Sequence, residues 1–227
     1  MTETPAAPTD TRPEPALVAI VIAFVVIVSV HLVALGFDDD NTAVLTKILI
    51  VPTVIGYLWV ASKGVRTRLF WLMLAGLGFS WLGDTIPEFL DDGFVVMVGL
   101  FACAQIAYVM AFWPYRAESL LNHRIWLAPY AIAAITVIAL CAPSAGALLV
   151  PVIVYAVLLM SSAVLSTGLG VVAGIGGALF LVSDGMIAVR ELPDWGWTSH
   201  LAVPIMATYA LAQGALAVGA SRRVRGD

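Results

Sequence analysis

The chain has 227 residues, of which 61% are hydrophobic and only 11% charged, with a formal net charge of −4. A soluble domain carries roughly 25% charged residues, so this composition excludes a soluble enzyme, a nucleic-acid-binding domain and a disordered chain. The mean hydropathy of +0.99 and the long apolar runs point to an integral membrane protein, crossing the bilayer in helices of about 20 residues.

In chain order, MTETPAAPTDTRPEP is polar and proline-rich and predicts a disordered tail over 1–15. It lacks the basic start of a signal peptide. Eight apolar runs follow, at about Ala16–Gly36, Ala43–Ser62, Leu69–Leu90, Phe94–Trp113, Ile125–Cys141, Gly146–Leu165, Leu169–Val189 and Thr198–Ala220. Acidic turns separate the first and second (Asp38, Asp39, Asp40), the third and fourth (Asp91, Asp92), and the seventh and eighth (Glu191, Asp194). The fifth run ends at a Pro143-Ser144 turn, and residues 221–227 form a basic tail. The runs are continuous rather than alternating, which excludes a β-barrel. The expected fold is therefore all-α: a single domain of eight transmembrane helices over 16–220. Cys103 and Cys141, both in apolar runs, read as small buried hydrophobes and not as a disulfide or metal pair.

Orientation follows from the basic residues, which cytoplasmic loops retain. With eight spans, both termini share a side, and Arg12, Lys63, Arg66, Arg68, Arg116, Arg124, Arg222, Arg223 and Arg225 all fall there. Only Lys47 and Arg190 lie on the other. Both ends are thus expected in the cytoplasm, with the chain a multi-pass protein of a bacterial inner membrane. Trp113, Trp126, Trp195 and Trp197 fit interfacial belts.

The third and seventh spans are alike. AGLGFSWLGD ends at Asp84 and IGGALFLVSD at Asp184, each with a glycine eight residues earlier (Gly76, Gly176) and a small residue just before it (Gly83, Ser183). The next span also repeats in kind, with Gln105 and Tyr108 in the fourth and Tyr209 and Gln213 in the eighth. Both spacings set the two polar groups on one helix face. A four-plus-four internal repeat accounts for this, and it places both aspartates near the outer end of helices running the same way. Lys47, near the start of the second span, occupies a similar level.

An intramembrane carboxylate is costly and marks a functional site by default, so Asp84 and Asp184 are the candidate catalytic pair, expected to face one cavity. Lys47, Gln105, Tyr108, Tyr209 and Gln213 are candidate pocket residues, and Ser80 and Ser183 flank the aspartates and are placed to orient them. Each has a plainer reading: helix capping, snorkelling for Lys47, or hydrogen bonding between helices. His31, inside the first span, reads as a packed or interfacial residue. No histidine spacing suggests a metal site, and no nucleophile motif or phosphate-binding loop is present.

GLGFSWLGDTI, GLFACAQIAYVMAF, GALFLVSDGMIAV, the Tyr209–Gln213 stretch and Thr46-Lys47 together resemble the YhhN family of eight-span membrane proteins over about Ala43 to Ala220. The resemblance implies a lysoplasmalogenase, which hydrolyses the vinyl ether of a lysophospholipid substrate to a fatty aldehyde and a glycerophosphocholine or glycerophosphoethanolamine. It implies neither metal nor organic cofactor. One position departs: where the family's fourth span commonly has a small residue followed by histidine, this chain has Ala104-Gln105, and glutamine does not exchange protons as histidine does. The chemistry suits a carboxyl pair. Protonating the terminal alkene carbon gives an oxocarbenium ion, as in glycosidases, so one carboxyl must be protonated and the other charged. The rival reading is a proton-coupled transporter or lipid carrier using the same carboxylates. No span is broken at mid-membrane by a Gly-Pro pair, which weighs against it.

Overall fold

In hydrocarbon every backbone N–H and C=O must find a partner within the chain, so an apolar run of this length has to be helical. The computed structural model describes residues 14–191 and 198–226, and among these the long elements are eight α-helices. They are α1 Pro15–Gly36, α2 Asp40–Ala61, α3 Arg68–Thr85, α4 Phe94–Phe112, α5 Arg124–Ala145, α6 Leu149–Ser166, α7 Val171–Glu191 and α8 Ala202–Arg225. Seven helical segments are long and apolar enough to cross a membrane, and the fifth of these, the 45-residue Ile125–Leu169, holds both α5 and α6. The expected tail, up to Pro13, lies outside the described residues, with Arg12 in it; so do Asp194, Trp195 and Trp197.

The boundaries differ from the sequence expectation where a local group overrides hydropathy. The α2 helix begins within the acidic turn, because the Asp39 side chain accepts from the Thr42 N–H at 3.2 Å. That hydrogen bonding to Thr42 holds the Asp39 carboxyl below the usual carboxylate range. The α3 helix stops at Thr85 and continues as a 3-10 turn, Ile86–Phe89, around Pro87. The fifth run does not turn at Pro143. The helix continues through that proline to Ala145, and the chain breaks at Gly146, whose φ of +47° is open to glycine. The arginines expected as a tail are the last turns of α8, where cations complement the helix dipole.

Six helices surround the core: α2 packs on α3, α3 on α4, α4 on α6, α6 on α7, α7 on α8 and α8 on α2. The α1 helix lies outside against α2 and α8, and α5 lies outside against α6 and α7. Consistent with that position, only His31 and Ala34 of α1 are buried, while Val18, Ile22, Val25 and Val33 are exposed. Outward apolar side chains of this kind suit lipid as the surroundings. Cys141 is buried, but Cys103 is exposed on α4, so its expected burial is corrected; a lipid-facing position tolerates it equally. Trp113 and Trp126, at adjoining ends of α4 and α5, are exposed as expected of belt residues.

The tightest helix pairs are α3 with α4 and α7 with α8, and each relies on a repeat glycine. A Cβ on Gly76 would lie 2.2 Å from the Tyr108 ring, and one on Gly176 2.9 Å from the Leu216 nitrogen of α8. Between the pairs, Phe101, Phe180 and Tyr209 meet edge to face at centroid separations of 5.6–6.3 Å. This aromatic cluster is the centre of the molecule, and both aspartates lie beside it.

Candidate functional site

Asp84 is buried in the last turn of α3, and its Oδ2 accepts the Tyr209 hydroxyl of α8 at 2.6 Å. Tyr209 has one proton and commits it to Asp84, so toward Gln213 it can only accept. The Gln213 amide accordingly donates Nε2–H to Tyr209 at 3.1 Å and accepts the Tyr108 hydroxyl on Oε1 at 3.0 Å. The chain Tyr108, Gln213, Tyr209, Asp84 thus has a single direction, every O–H and N–H pointing toward the carboxyl. Such aligned bonds strengthen one another in a low-dielectric interior.

Asp84 lines a cavity of about 260 Å³ with a polar wall: Lys47 of α2, Glu88 of the 3-10 turn, His31 of α1 and Arg190 of α7. Lys47 Nζ donates to Glu88 Oε1 at 2.7 Å, both side chains remaining about one-quarter exposed. The lysine therefore brings positive charge to the Asp84 cavity while resting on a different carboxylate.

Asp184 is buried in α7, and its Oδ2 accepts the Tyr155 hydroxyl of α6. Its Oδ1 is buried with no partner among the described residues. Apart from Tyr155, its cavity is apolar, lined by Phe94, Met97, Val98, Phe101, Val152 and Ile187. The expectation of one shared cavity is corrected to two adjoining ones. Met97, Phe101 and Ile187 line both, because the Phe101 ring packs into the aromatic centre between α3, α7 and α8. On its far side the Asp184 cavity shares Phe94, Val98, Val152 and Tyr155 with an apolar cleft of about 240 Å³ between α4 and α6.

The remaining expected residues divide. Tyr108, Tyr209 and Gln213 join the Asp84 chain, and Lys47 lines its cavity. Ser80, one turn before Asp84, is fully buried, and its Oγ has no hydrogen bond of normal geometry. Ser183 does not orient Asp184: its hydroxyl donates to the Ile205 carbonyl at 3.0 Å and ties α7 to α8. Gln105 faces α6 instead of sharing the partners of Tyr108, accepting from Ser162 at 2.5 Å, and its Nε2 is buried without a partner among the described residues.

Three residues escape a reading of the sequence alone. Tyr155 is an aromatic in an apolar run with no glutamine one turn away, the pairing that marks Tyr108 and Tyr209. Glu88 lies four residues after Asp84, a spacing that would share a face in a continuous helix, and the 3-10 turn still brings it to the same cavity. Ser162 carries no signal, since serines in membrane helices commonly bond their own backbone, as Ser161 does here.

No curated protein and no solved structure gives a significant match. The model of the YhhN family matches residues 42–220, from the first turn of α2 to the penultimate turn of α8, and takes in both aspartates with their tyrosines. The chain belongs to the YhhN family.

Proposed function

We propose that the protein is a lysoplasmalogenase, a membrane hydrolase that cleaves the vinyl ether of a lysophospholipid into a fatty aldehyde and a glycerophosphocholine or glycerophosphoethanolamine. One observation carries this reading: a polar cavity holding Asp84 and an apolar cavity holding Asp184 meet at Met97, Phe101 and Ile187. A lysolipid has the same plan, a charged headgroup joined to one hydrocarbon chain, with the vinyl ether at the junction. The headgroup occupies the Lys47 side, the chain leaves through the cleft between α4 and α6, and the reactive bond lies between the carboxyls.

In this mechanism Asp184 donates its proton to the alkene carbon remote from the ether oxygen, and the alkene electrons form the new C–H bond. The resulting oxocarbenium ion is stabilised by the Asp84 carboxylate. Water adds to the cationic carbon and gives its proton to Asp84. The hemiacetal then collapses: Asp84 returns that proton to the glycerol oxygen as the C–O bond breaks, and the hemiacetal hydroxyl re-protonates Asp184. Water is consumed and both carboxyls are restored. Tyr155 and Tyr209 hold the two groups in place, while Ser80, Tyr108 and Gln213 form the wall behind them.

The membrane arrangement that goes with this reading has eight crossings and both ends cytoplasmic. It divides into halves α1–α4 and α5–α8, each with one peripheral helix. Two features support it. The α5 and α6 helices pack on each other after the break at Gly146, and the α2–α8 contact of one half has a counterpart in the α6–α4 contact of the other. The test is chemical. Purified protein in detergent, given a vinyl ether lysolipid, should release free aldehyde and water-soluble headgroup in equal amounts. A folded protein that releases neither excludes the hydrolase, since a carrier needs sealed vesicles and leaves the lipid intact.

A further inference from the structure

His31 is 1% exposed on α1, upstream of the residues matched by the family. Its Nδ1 lies 3.0 Å from the Ala43 carbonyl oxygen and 2.9 Å from Thr46 Oγ1. A carbonyl can only accept. Thr46 Oγ1 itself lies 2.6 Å from the Thr42 carbonyl and 3.1 Å from that of Ala43, so its single proton is committed to the backbone of its own helix. Toward His31 it offers a lone pair. Both partners of Nδ1 therefore require a donor, which puts the proton on Nδ1 and leaves Nε2 of the neutral ring as a bare acceptor. That nitrogen is buried with no partner among the described residues, and His31 lines the cavity of Lys47, Asp84 and Glu88. A buried polar atom without a partner is exceptional in native proteins. Such an atom calls for a hydrogen-bond donor, and the polar cavity that His31 lines is where one can come from.

We propose that His31 Nε2 accepts the free hydroxyl of the lysolipid glycerol and so makes the site selective for single-chain lipids. The identity of the donor rests on the proposed reaction; the acceptor itself rests on the geometry above. On the glycerol, the hydroxyl carbon stands between the ether oxygen and the phosphate ester. In the cavity, His31 is anchored to Ala43 and Thr46, beside Lys47, the cation that suits the phosphate, and shares the wall with Asp84. A lipid acylated at this hydroxyl has no proton to offer and leaves Nε2 buried and unpaired. Sites built to bond a substrate hydroxyl reject analogues lacking it far more strongly than apolar pockets discriminate size.

The test compares lipids with and without the hydroxyl in two assays, binding of saturated alkyl ether lysolipids by calorimetry and cleavage of their vinyl ether counterparts by aldehyde release. His31→Asn keeps an amide N–H where Nδ1 was, to serve Ala43 and Thr46, and withdraws the acceptor from the Nε2 position, its own carbonyl oxygen stopping short of it. His31→Gln puts an acceptor oxygen near the place of Nε2. The wild type should prefer the hydroxylated lipid by about 10- to 100-fold, His31→Asn should bring the ratio near unity, and His31→Gln should restore part of it. An unchanged ratio in His31→Asn, with both lipids weakened alike, overturns the proposal. So does a histidine ¹⁵N spectrum showing Nε2 protonated in the lipid-free protein. A His31-dependent binding ratio without aldehyde release keeps the acceptor site and rejects the hydrolase; aldehyde release with a ratio indifferent to His31 does the reverse.

Discussion

Gln105 and Tyr108 stand one turn apart on α4 yet serve different helices, Gln105 meeting Ser162 of α6 and Tyr108 meeting Gln213 of α8. A histidine at 105 can also accept from Ser162, so Gln105→His should keep turnover within a few-fold of wild type. Gln105→Ala should lower it about tenfold while costing little stability, because the single Ser162 proton can then turn to the Leu159 carbonyl, 2.9 Å away, and is not left unpaired. Aldehyde release and thermal melts in detergent check both, and an inactive but folded Gln105→His would break the match to the family's histidine. Asp84→Asn and Asp184→Asn remove a titratable proton at constant size. Each should cost about 10²-fold or more in turnover while the helical signal and elution profile stay unchanged. Near-normal turnover in both variants would remove the carboxyl mechanism. The aspartates, Tyr209 and Gln213 were legible in the sequence because buried polar groups are costly in hydrocarbon. Which polar group meets which was not legible. Gln105 and Ser162 are 57 residues apart in the chain, and nothing local to either names the other.

Among the helices, close approach decides more than hydropathy. Gly76→Ala drives a methyl into the Tyr108 ring, so it should destabilise the protein by about 1–3 kcal/mol. It should also lower turnover, by shifting the tyrosine that begins the chain to Asp84. Gly78→Ala, two residues on, meets nothing within 4 Å and should be neutral in both respects, which makes the pair a matched control. Equal melting temperatures for the two would show that α3 and α4 have room to part. Most of the helices could be placed from apolar runs alone. Their ends could not, because ends are set by single groups: the Asp39 cap that starts α2 early, Pro87 that turns the end of α3 into a 3-10 turn, and Gly146 that ends α5 after a proline it absorbs.

For the whole molecule, the basic residues predict that reporters fused at Asp39 and Asp92 lie outside the cytoplasm and one at Arg116 inside. Cysteine labelling of the same sites in intact cells gives an independent check. The reverse pattern would overturn the orientation. The side predicted to be cytoplasmic is tied across the chain: Arg223 reaches Glu118 at 2.5 Å and Arg225 reaches the Ala61 carbonyl at 2.6 Å. The opposite side holds the Lys47–Glu88 pair at the polar cavity. The meeting of the two cavities at Met97, Phe101 and Ile187 has one more consequence, for the departure of what is made. On the proposed reaction the fragments have opposite solubilities, a greasy aldehyde and a zwitterionic glycerol phosphate. Because the apolar compartment continues toward the cleft between α4 and α6 and the polar one does not share that cleft, the fragments have separate exits. Neither has to pass the other or turn round, and the aldehyde enters the bilayer without crossing water.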